Sequence, residues 1–196
     1  SDIQKLVDAL TADGRAAAAA PRLVNAQNEP EPQAFSLPDA AALAEACRAV
    51  ADLPAAPAGE RAEAVWPGAL LLRKSYLAGM NYFDEKRYGD TFAELDLFRK
   101  MRDAGRDVII PSQVIARRLE APPDPSDPGS RALLACDRIA GAAAYVRKHD
   151  GILAGISFQI KMFFGALAAL FRPSEAGHAW RVLTGMLSGV KIDGSH

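Results

Sequence analysis

Cysteine and histidine are scarce in this chain of 196 residues, which contains two cysteines and three histidines. Cys47 and Cys136 lie among alanines and leucines, and neither belongs to a C-x-x-C pair or a cysteine–histidine cluster. His149 and His178 are far apart and have no metal-ligating neighbours at the usual spacing. The sequence therefore argues against a structural zinc site and predicts two reduced thiols buried in helices.

Two common catalytic motifs are also missing. Gly141, Gly151 and Gly155 lie in a helical pattern with no strand before them, so they do not form a phosphate-binding loop. No G-x-S-x-G sequence indicates a nucleophile elbow.

The 23 basic and 24 acidic residues nearly balance, which gives no indication of a nucleic acid partner. A hydrophobic content of 49% argues against a disordered chain.

The ends of the chain look artificial. It begins with Ser1 rather than methionine and ends in Gly194-Ser195-His196, which resembles the remainder of an affinity tag. We therefore interpret both ends as artificial, which is compatible with a longer natural protein, and we give His196 no chemical role.

The pattern of apolar residues predicts an α/β region followed by a helical one. Residues 121–130 carry four prolines and predict a linker between region 1–120 and region 131–193. Predicted strands cover residues 16–24, 69–73, 107–111 and 114–118, and predicted loops cover 25–38 and 54–60. Predicted helices cover residues 2–10, 39–53, 91–104, 130–149, 151–171 and 174–190.

The most informative segment runs from Trp66 to Arg118. It reads as a strand, a glycine-containing loop with two acids, and a helix entered through further acids. Carboxylates at a helix start are favoured by the dipole and the free amides, which would by itself account for Asp90 and part of Glu94. The order and spacing of the whole segment are more specific than any one of its parts.

This segment resembles the acceptor-site region of inverting GT-A-fold glycosyltransferases of family 2, particularly rhamnosyltransferase-like members. The matching elements in order are Gly68-Ala69, Phe83-Asp84-Glu85, Leu95-Asp96-Leu97, Lys100 with Arg102 and Gly105, and Val108-Ile109-Ile110-Pro111. Outside the segment, weaker matches are Ala20-Pro21-Arg22-Leu23 and Tyr145-Val146-Arg147-Lys148-His149-Asp150-Gly151. The resemblance implies a partial GT-A-like fold, a short mixed sheet with helices, followed by a helical C-terminal extension.

The resemblance also implies an activity: transfer of a sugar from a nucleotide-sugar donor to a polysaccharide or lipid-linked acceptor by inverting displacement. Glu94 aligns with the family's usual catalytic aspartate, while Ala93 stands where the preceding acid is usual. Glu94 is thus either the catalytic base or a plain capping acid. Asp96 would orient the helix start or an acceptor hydroxyl.

Several further residues are assigned to the acceptor site, each with a structural alternative. Asp84 and Glu85 would shape the acceptor loop or hold it structurally. Trp66, beside Gly68 and Ala69, would stack on a sugar ring or belong to the core. Arg117 and Arg118 would meet a diphosphate or form a solvated strand end.

The nucleotide-binding half of the family, with its D-x-D metal motif, has no counterpart in this sequence. Asp124-Pro125-Ser126-Asp127 has the wrong spacing. The complete enzyme is expected to use a divalent metal, Mg or Mn, and none of its ligands is identifiable in this chain.

Residues 151–171 form a second distinctive stretch, about as long as a membrane span. Gln159 and Lys161 at its centre argue against a span, because a central lysine costs about 2.5–3.5 kcal/mol. Three interpretations stay open: a helix in a membrane surface, an ordinary helical core, or a true span. We expect the protein to be cytoplasmic, with a possible peripheral location on the cytoplasmic face of the inner membrane.

Two other functions are compatible with the sequence. Ala93 and Glu94, in place of the usual pair of acids, are also what a non-catalytic, transferase-derived binding module would carry. A membrane-surface helical adaptor with a chance motif match is the other alternative.

We predict that the purified chain of 196 residues transfers no sugar, because it carries no recognisable donor or metal motif. Release of nucleoside diphosphate from a panel of nucleotide-sugars measures this directly. Turnover with any donor would contradict the prediction.

Overall fold

The computed structural model describes residues 1–49, 53–57, 59–66, 68–88, 92–118 and 127–189. The side chains of Pro57, Glu85 and Lys86 lie outside this description. So do Val50, Asp90 and residues 119–126, which include residues 121–126 of the predicted linker. The described part is a mixed α/β structure, as the sequence predicts at that level.

The chain alternates between helices and short strands and then becomes helical. In chain order the described elements are α1 (Asp2–Ala12), β1 (Ala16–Ala19), β2 (Arg22–Val24), β3 (Pro32–Phe35), α2 (Ala40–Ala49), β4 (Ala56–Pro57), β5 (Arg61–Ala62), β6 (Ala64–Val65), β7 (Leu71–Leu72), α3 (Lys74–Gly79), α4 (Glu85–Tyr88), α5 (Ala93–Asp103), β8 (Asp107–Ile109), β9 (Ile115–Arg117), α6 (Pro128–His149), α7 (Ile152–Ala169) and α8 (Ala176–Ser188).

These elements form two compact units, and each unit draws on separate stretches of the chain. The sheet unit comprises Ser1–Leu37, Pro54–Phe83 and Glu94–Pro122, and the helical unit comprises Pro38–Leu53, Asp84–Ala93 and Pro123–His196. The helical unit therefore includes residues 38–53 and 84–93, which the sequence analysis places in region 1–120.

The sheet unit contains a mixed four-stranded sheet in the order β5-β8-β1-β7. Strand β1 runs parallel to β8 and antiparallel to β7, and β5 is antiparallel to β8. A parallel pair, β2 and β9, and an antiparallel trio in the order β4-β3-β6 complete the strands of this unit. The predicted short mixed sheet is therefore present.

The central strand β1 consists of four alanines, all of them buried. Alanine favours helices, but here the chain lies between two strands, and small side chains suit that crowded position. Helix α1 covers the strand through Leu6 and Leu10, which pack into one cluster with Ala16, Ala19, Ile109 and Val114. The predicted amphipathic helix is confirmed. The strand predicted at residues 16–24 is instead two strands, β1 and β2, which belong to different sheets.

The predicted loop at residues 25–38 is wrong in part, because it contains β3. Gln33 in that strand is buried, and its amide replaces ordinary strand pairing with β2. Its Oε1 accepts a hydrogen bond from the Leu23 amide, and its Nε2 donates to the Pro21 carbonyl at 2.9 Å. Neighbouring prolines hide this strand in the sequence, since proline is atypical of sheet interiors.

Helix boundaries follow local capping chemistry. The Asp39 carboxylate accepts a hydrogen bond from the Ala42 amide at 2.8 Å, as expected for the start of α2. Gly105 follows α5 with φ +69°, the predicted left-handed stop. Asp127 caps α6 by accepting from the Ser130 amide at 2.7 Å, so residues 128–130 are helix rather than linker.

The helical unit is arranged around α6, which packs against α2, α4, α7 and α8. Cys47 and Cys136 are free thiols buried in this unit, as expected. Burial raises the pKa of the Cys47 thiol to about 12 and raises that of Cys136 as well. Both sulfurs therefore stay protonated at neutral pH, which suits a structural rather than a nucleophilic role.

Helix α7 buries one face only, through Gly155, Phe158 and Met162. It is the one helix of the described residues that is long and apolar enough to cross a membrane, yet only 17% of it is buried. An ordinary core helix would be mostly buried, so that interpretation of residues 151–171 does not fit.

Two glycines of α7 give a matched test of helix packing. A Cβ at Gly155 would lie 2.6 Å from Arg147 Cβ and 3.0 Å from its Cα, whereas at Gly165 the nearest atom would be 3.9 Å away. We expect Gly155→Ala to destabilise the protein by about 1–3 kcal/mol through overpacking. Gly165→Ala should stabilise it by roughly 0.5–1 kcal/mol, since alanine is the better helix former.

Urea unfolding followed by circular dichroism measures both changes. Equal effects of the two substitutions would contradict the close contact between α6 and α7.

Candidate functional site

The Phe83-Asp84-Glu85 motif places an acid directly before α4. The Asp84 carbonyl accepts hydrogen bonds from the amides of Arg87 and Tyr88, which fixes the start of this short helix. The Asp84 carboxylate pairs with Arg87 Nε at 3.2 Å and with Lys148 Nζ at 3.2 Å. Glu85 begins α4, and its side chain lies outside the described part.

Lys148 belongs to the last turn of α6, 64 residues from Asp84. The side chains of Asp84 and Lys148 are 26% and 24% exposed, so water screens their attraction less than at an open surface. The Lys148 ammonium also lies 5.5 Å from the ring centre of Tyr88, within range of a cation–π interaction. Two motifs singled out in the sequence, at 83–85 and 145–151, therefore meet through one ion pair.

Aromatic rings extend this contact along α6. The Tyr145 ring lies 4.8 Å from the His149 ring and 6.4 Å from the Phe92 ring, measured between centres. Phe92 has φ +81°, a backbone region that side chains rarely adopt, and its ring lies against Gly141. Strained residues concentrate at functional sites, so Phe92 is noteworthy. We define the 84/148 cluster as Asp84, Arg87, Tyr88, Phe92, Tyr145, Lys148 and His149.

Sequence reasoning identified only part of this cluster. It singled out Asp84 and the motif around Lys148, but it did not assign Arg87, Tyr88 or Phe92 to a site. Tyr88 and Phe92, the aromatic residues on either side of the Gly89-Asp90 dipeptide, were the feature of the sequence that could have indicated the cluster.

Glu94 and Asp96 lie in the first turn of α5 but in different environments. Glu94 is half-buried, and among the described residues no side chain or amide pairs with its carboxylate. Asp96 is fully buried, and its carboxylate lies 2.7 Å from Lys100 Nζ, one turn further along the helix. The buried Asp96 carboxylate therefore has a cationic partner, while the Glu94 carboxylate is partly open to solvent.

Trp66, Gly68 and Ala69 lie in the sheet unit, before β7. The Trp66 ring is half-buried and tilted against Phe35, with 5.4 Å between ring centres. Its backbone amide donates to the Gln33 carbonyl at 2.9 Å. Gly68 is exposed in a turn, and a Cβ added at this position would have open space around it. Ala69 is half-buried.

Arg117 and Arg118, at the end of β9, both have protein partners. Arg117 donates to the Asn28 side chain at 2.6 Å, and Arg118 pairs with Glu31 at 3.2 Å. A diphosphate at this strand end would have to compete with these contacts.

The predicted site residues are thus divided between the units. Asp84 and Glu85 belong to the helical unit, and the others belong to the sheet unit, namely Trp66, Gly68, Ala69, Glu94, Asp96, Arg117 and Arg118. The partners named above for Asp84, Asp96, Arg117 and Arg118 all come from outside the predicted set.

A divalent metal, which the resemblance implies for the complete enzyme, does not fit the described residues. Within the described ranges no group of three or more His, Cys, Asp or Glu side chains could hold a metal ion. Comparison with known protein families, with curated proteins and with solved structures finds no match to this chain.

The ion pair of the 84/148 cluster can be tested with a double-mutant cycle on Asp84→Asn and Lys148→Met. We expect a coupling free energy of about 0.5–1 kcal/mol, because the pair is partly buried but still touches solvent. Urea unfolding of the parent chain, the two single variants and the double variant provides the four values. Additive effects would contradict a direct interaction between the two side chains.

Proposed function

We propose that this chain is the acceptor-side part of an inverting glycosyltransferase with a GT-A-like fold. The reaction would move a sugar from a nucleotide-sugar to a polysaccharide or lipid-linked acceptor. Support comes from the ordered motifs at 66–111 and from a mixed sheet, two strands of which, β7 and β8, lie within the same range. The observation that carries the proposal is the contrast at the start of α5, where Asp96 is buried and paired while Glu94 has no partner among the described residues.

Glu94 is the proposed general base. Its carboxylate takes the proton of an acceptor hydroxyl, and the hydroxyl oxygen forms a bond to the anomeric carbon of the donor sugar. The bond from that carbon to the diphosphate oxygen breaks on the opposite face, and the nucleoside diphosphate leaves with the electron pair. A half-buried carboxylate at a helix start suits this role, because it is partly desolvated yet reachable.

The other predicted residues of the sheet unit would bind and orient the acceptor. Trp66 keeps part of its ring exposed, and aromatic faces suit the apolar face of a sugar ring. Within the helical unit, the 84/148 cluster would hold the start of α4, where Glu85 lies, in one conformation. Asp96 would act as a positioning residue, since its ion pair with Lys100 fixes the first turn that presents Glu94.

We further propose that the protein works in the cytoplasm, at the cytoplasmic face of the membrane. A lipid-linked acceptor gives a transferase a reason to be there. The largely exposed apolar helix α7 supports this location.

Replacement of Glu94 by glutamine should lower transfer by about 100-fold to 10,000-fold, the usual contribution of a general base. Glu94→Asp keeps a carboxylate and should retain much more activity. Transfer is assayed on the full-length product of the natural gene, with the sugar product detected by mass spectrometry.

Stability separates the two acids on the chain itself. Glu94→Gln should leave the free energy of unfolding nearly unchanged, whereas Asp96→Asn should lower it by about 1–3 kcal/mol by breaking a buried pair. Full transfer activity in Glu94→Gln would refute the proposed base. An inactive natural protein would favour the non-catalytic binding module, with which the buried Ala93 is consistent.

A further inference from the structure

The outward face of α7 carries an unbroken apolar stripe. Its members follow one another at spacings of three or four residues, so they share one side of the helix. Their exposed fractions range from 38% at Leu167 to 85% at Phe171. The α7 stripe consists of Leu153, Ile156, Ile160, Phe164, Leu167 and, just beyond the helix, Phe171.

The stripe is not the core face of this helix. The buried residues Gly155, Phe158 and Met162 lie on the opposite side, and α7 packs against α6 and α8. The helix therefore has two apolar sides, and the helical unit covers only one of them. An exposed apolar surface of this extent indicates a binding site.

The apolar surface continues onto α8. A groove of about 470 Å³ is lined by Ile160, Phe164 and Leu187 among other residues, so α8 borders the stripe. Leu187 is 76% exposed, and Trp180, two helical turns earlier on the same side of α8, is 61% exposed. Tryptophan is enriched where a protein meets the boundary between lipid and water.

The charges around this surface are mostly positive. Residues 151–189 contain three basic residues, Lys161, Arg172 and Arg181, against one acid, Glu175. Glu175 pairs with Arg172 at 3.3 Å, and Arg181 interacts electrostatically with Asp127, so Lys161 provides the surplus beside the stripe. The segment is thus cationic in a chain whose net charge is −1. Apolar residues bordered by cations complement an anionic lipid surface.

We propose that the α7 stripe, together with Leu187 and Trp180, inserts into the surface of an anionic lipid bilayer, with α7 lying parallel to the membrane plane. This inference rests on the proposed peripheral location and adds to it the binding surface and the lipid charge. It does not depend on the transfer reaction.

Two other occupants fit the surface less well. Spanning a bilayer would place Lys161, the tenth of the 18 residues of α7, near the hydrocarbon centre, and would expose the α6-facing side to lipid. A second copy of the chain would set this cationic surface against an identical cationic surface across a two-fold axis. A bilayer with anionic headgroups satisfies the apolar and the charged groups together.

The test is co-sedimentation of the 196-residue chain with vesicles of phosphatidylcholine alone and of phosphatidylcholine mixed with phosphatidylglycerol. We expect binding to the anionic vesicles that weakens as salt is added. Lys161→Gln should weaken binding to anionic vesicles about fivefold, in line with the contribution of one basic residue near such a surface. The double variant Ile160→Ser with Phe164→Ser should weaken it at least about tenfold.

Helix α1 offers a matched control. Ile3 and Val7 are also exposed and four residues apart, so Ile3→Ser with Val7→Ser removes a similar apolar pair from the sheet unit. This variant should bind vesicles like the parent chain. Circular dichroism melts check that all the variants are folded, as expected for changes at exposed positions.

Trp180 provides a second readout. In a Trp66→Phe background, its fluorescence should shift to the blue when anionic vesicles are added, because the ring leaves water. No shift, or an equal loss of binding in the α1 control, would overturn the proposed surface.

The remaining outcomes separate the inference from the proposed location. Equal binding to both kinds of vesicle would overturn the anionic preference and leave the peripheral location standing. Absence of binding to any vesicle would overturn both. A dimer that forms without lipid and is lost on Phe164→Ser would assign the stripe to a second copy and overturn the inference.

Discussion

Four helices of the helical unit share the surface of α6, and this crowding requires small residues at the points of contact. A Cβ at Gly141 would meet the Phe92 ring at 2.6 Å, one at Gly155 would meet Arg147, and one at Gly185 would meet Cys136 Sγ at 2.5 Å. Protein interiors tolerate little extra volume, so these positions fix how closely the helices approach. The last turns of α6 carry Tyr145, Lys148 and His149, so this packing also places the 84/148 cluster.

The carboxylates of the motif region differ in how their charges are compensated. Asp84 has two cationic partners and the buried Asp96 has one, whereas Glu94 has none among the described residues. A compensated acid stabilises a local conformation, and an uncompensated, half-buried one is available to a ligand. That difference is why we propose Glu94 as the general base and Asp96 as a positioning residue. Charge compensation depends on the surroundings of each carboxylate, so two acids in the same helical turn can differ completely in this respect.

Much of the local structure was predictable because short-range chemistry controls it. Asp39 and Gly105 mark helix ends through a side-chain cap and a left-handed residue, and the apolar periodicity of residues 2–10 is typical of an amphipathic helix. Strand β3 was missed, because its proline suggests a loop and its link to β2 runs through the buried Gln33 side chain. The start of α6 was placed late for a related reason, since Pro128 suits the first turn of a helix as well as a linker.

The sequence by itself determined the helix caps, the buried thiols, the mixed α/β character and the set of acids near the start of α5. Each of these depends on a residue's own chemistry or on neighbours within about one helical turn. Only the tertiary structure decided that Asp84 meets Lys148, that Asp96 is buried while Glu94 is not, and that α7 leaves an apolar side uncovered. Those properties depend on which surfaces of distant segments pack together and exclude water. Long-range packing decides this, and the local sequence pattern does not.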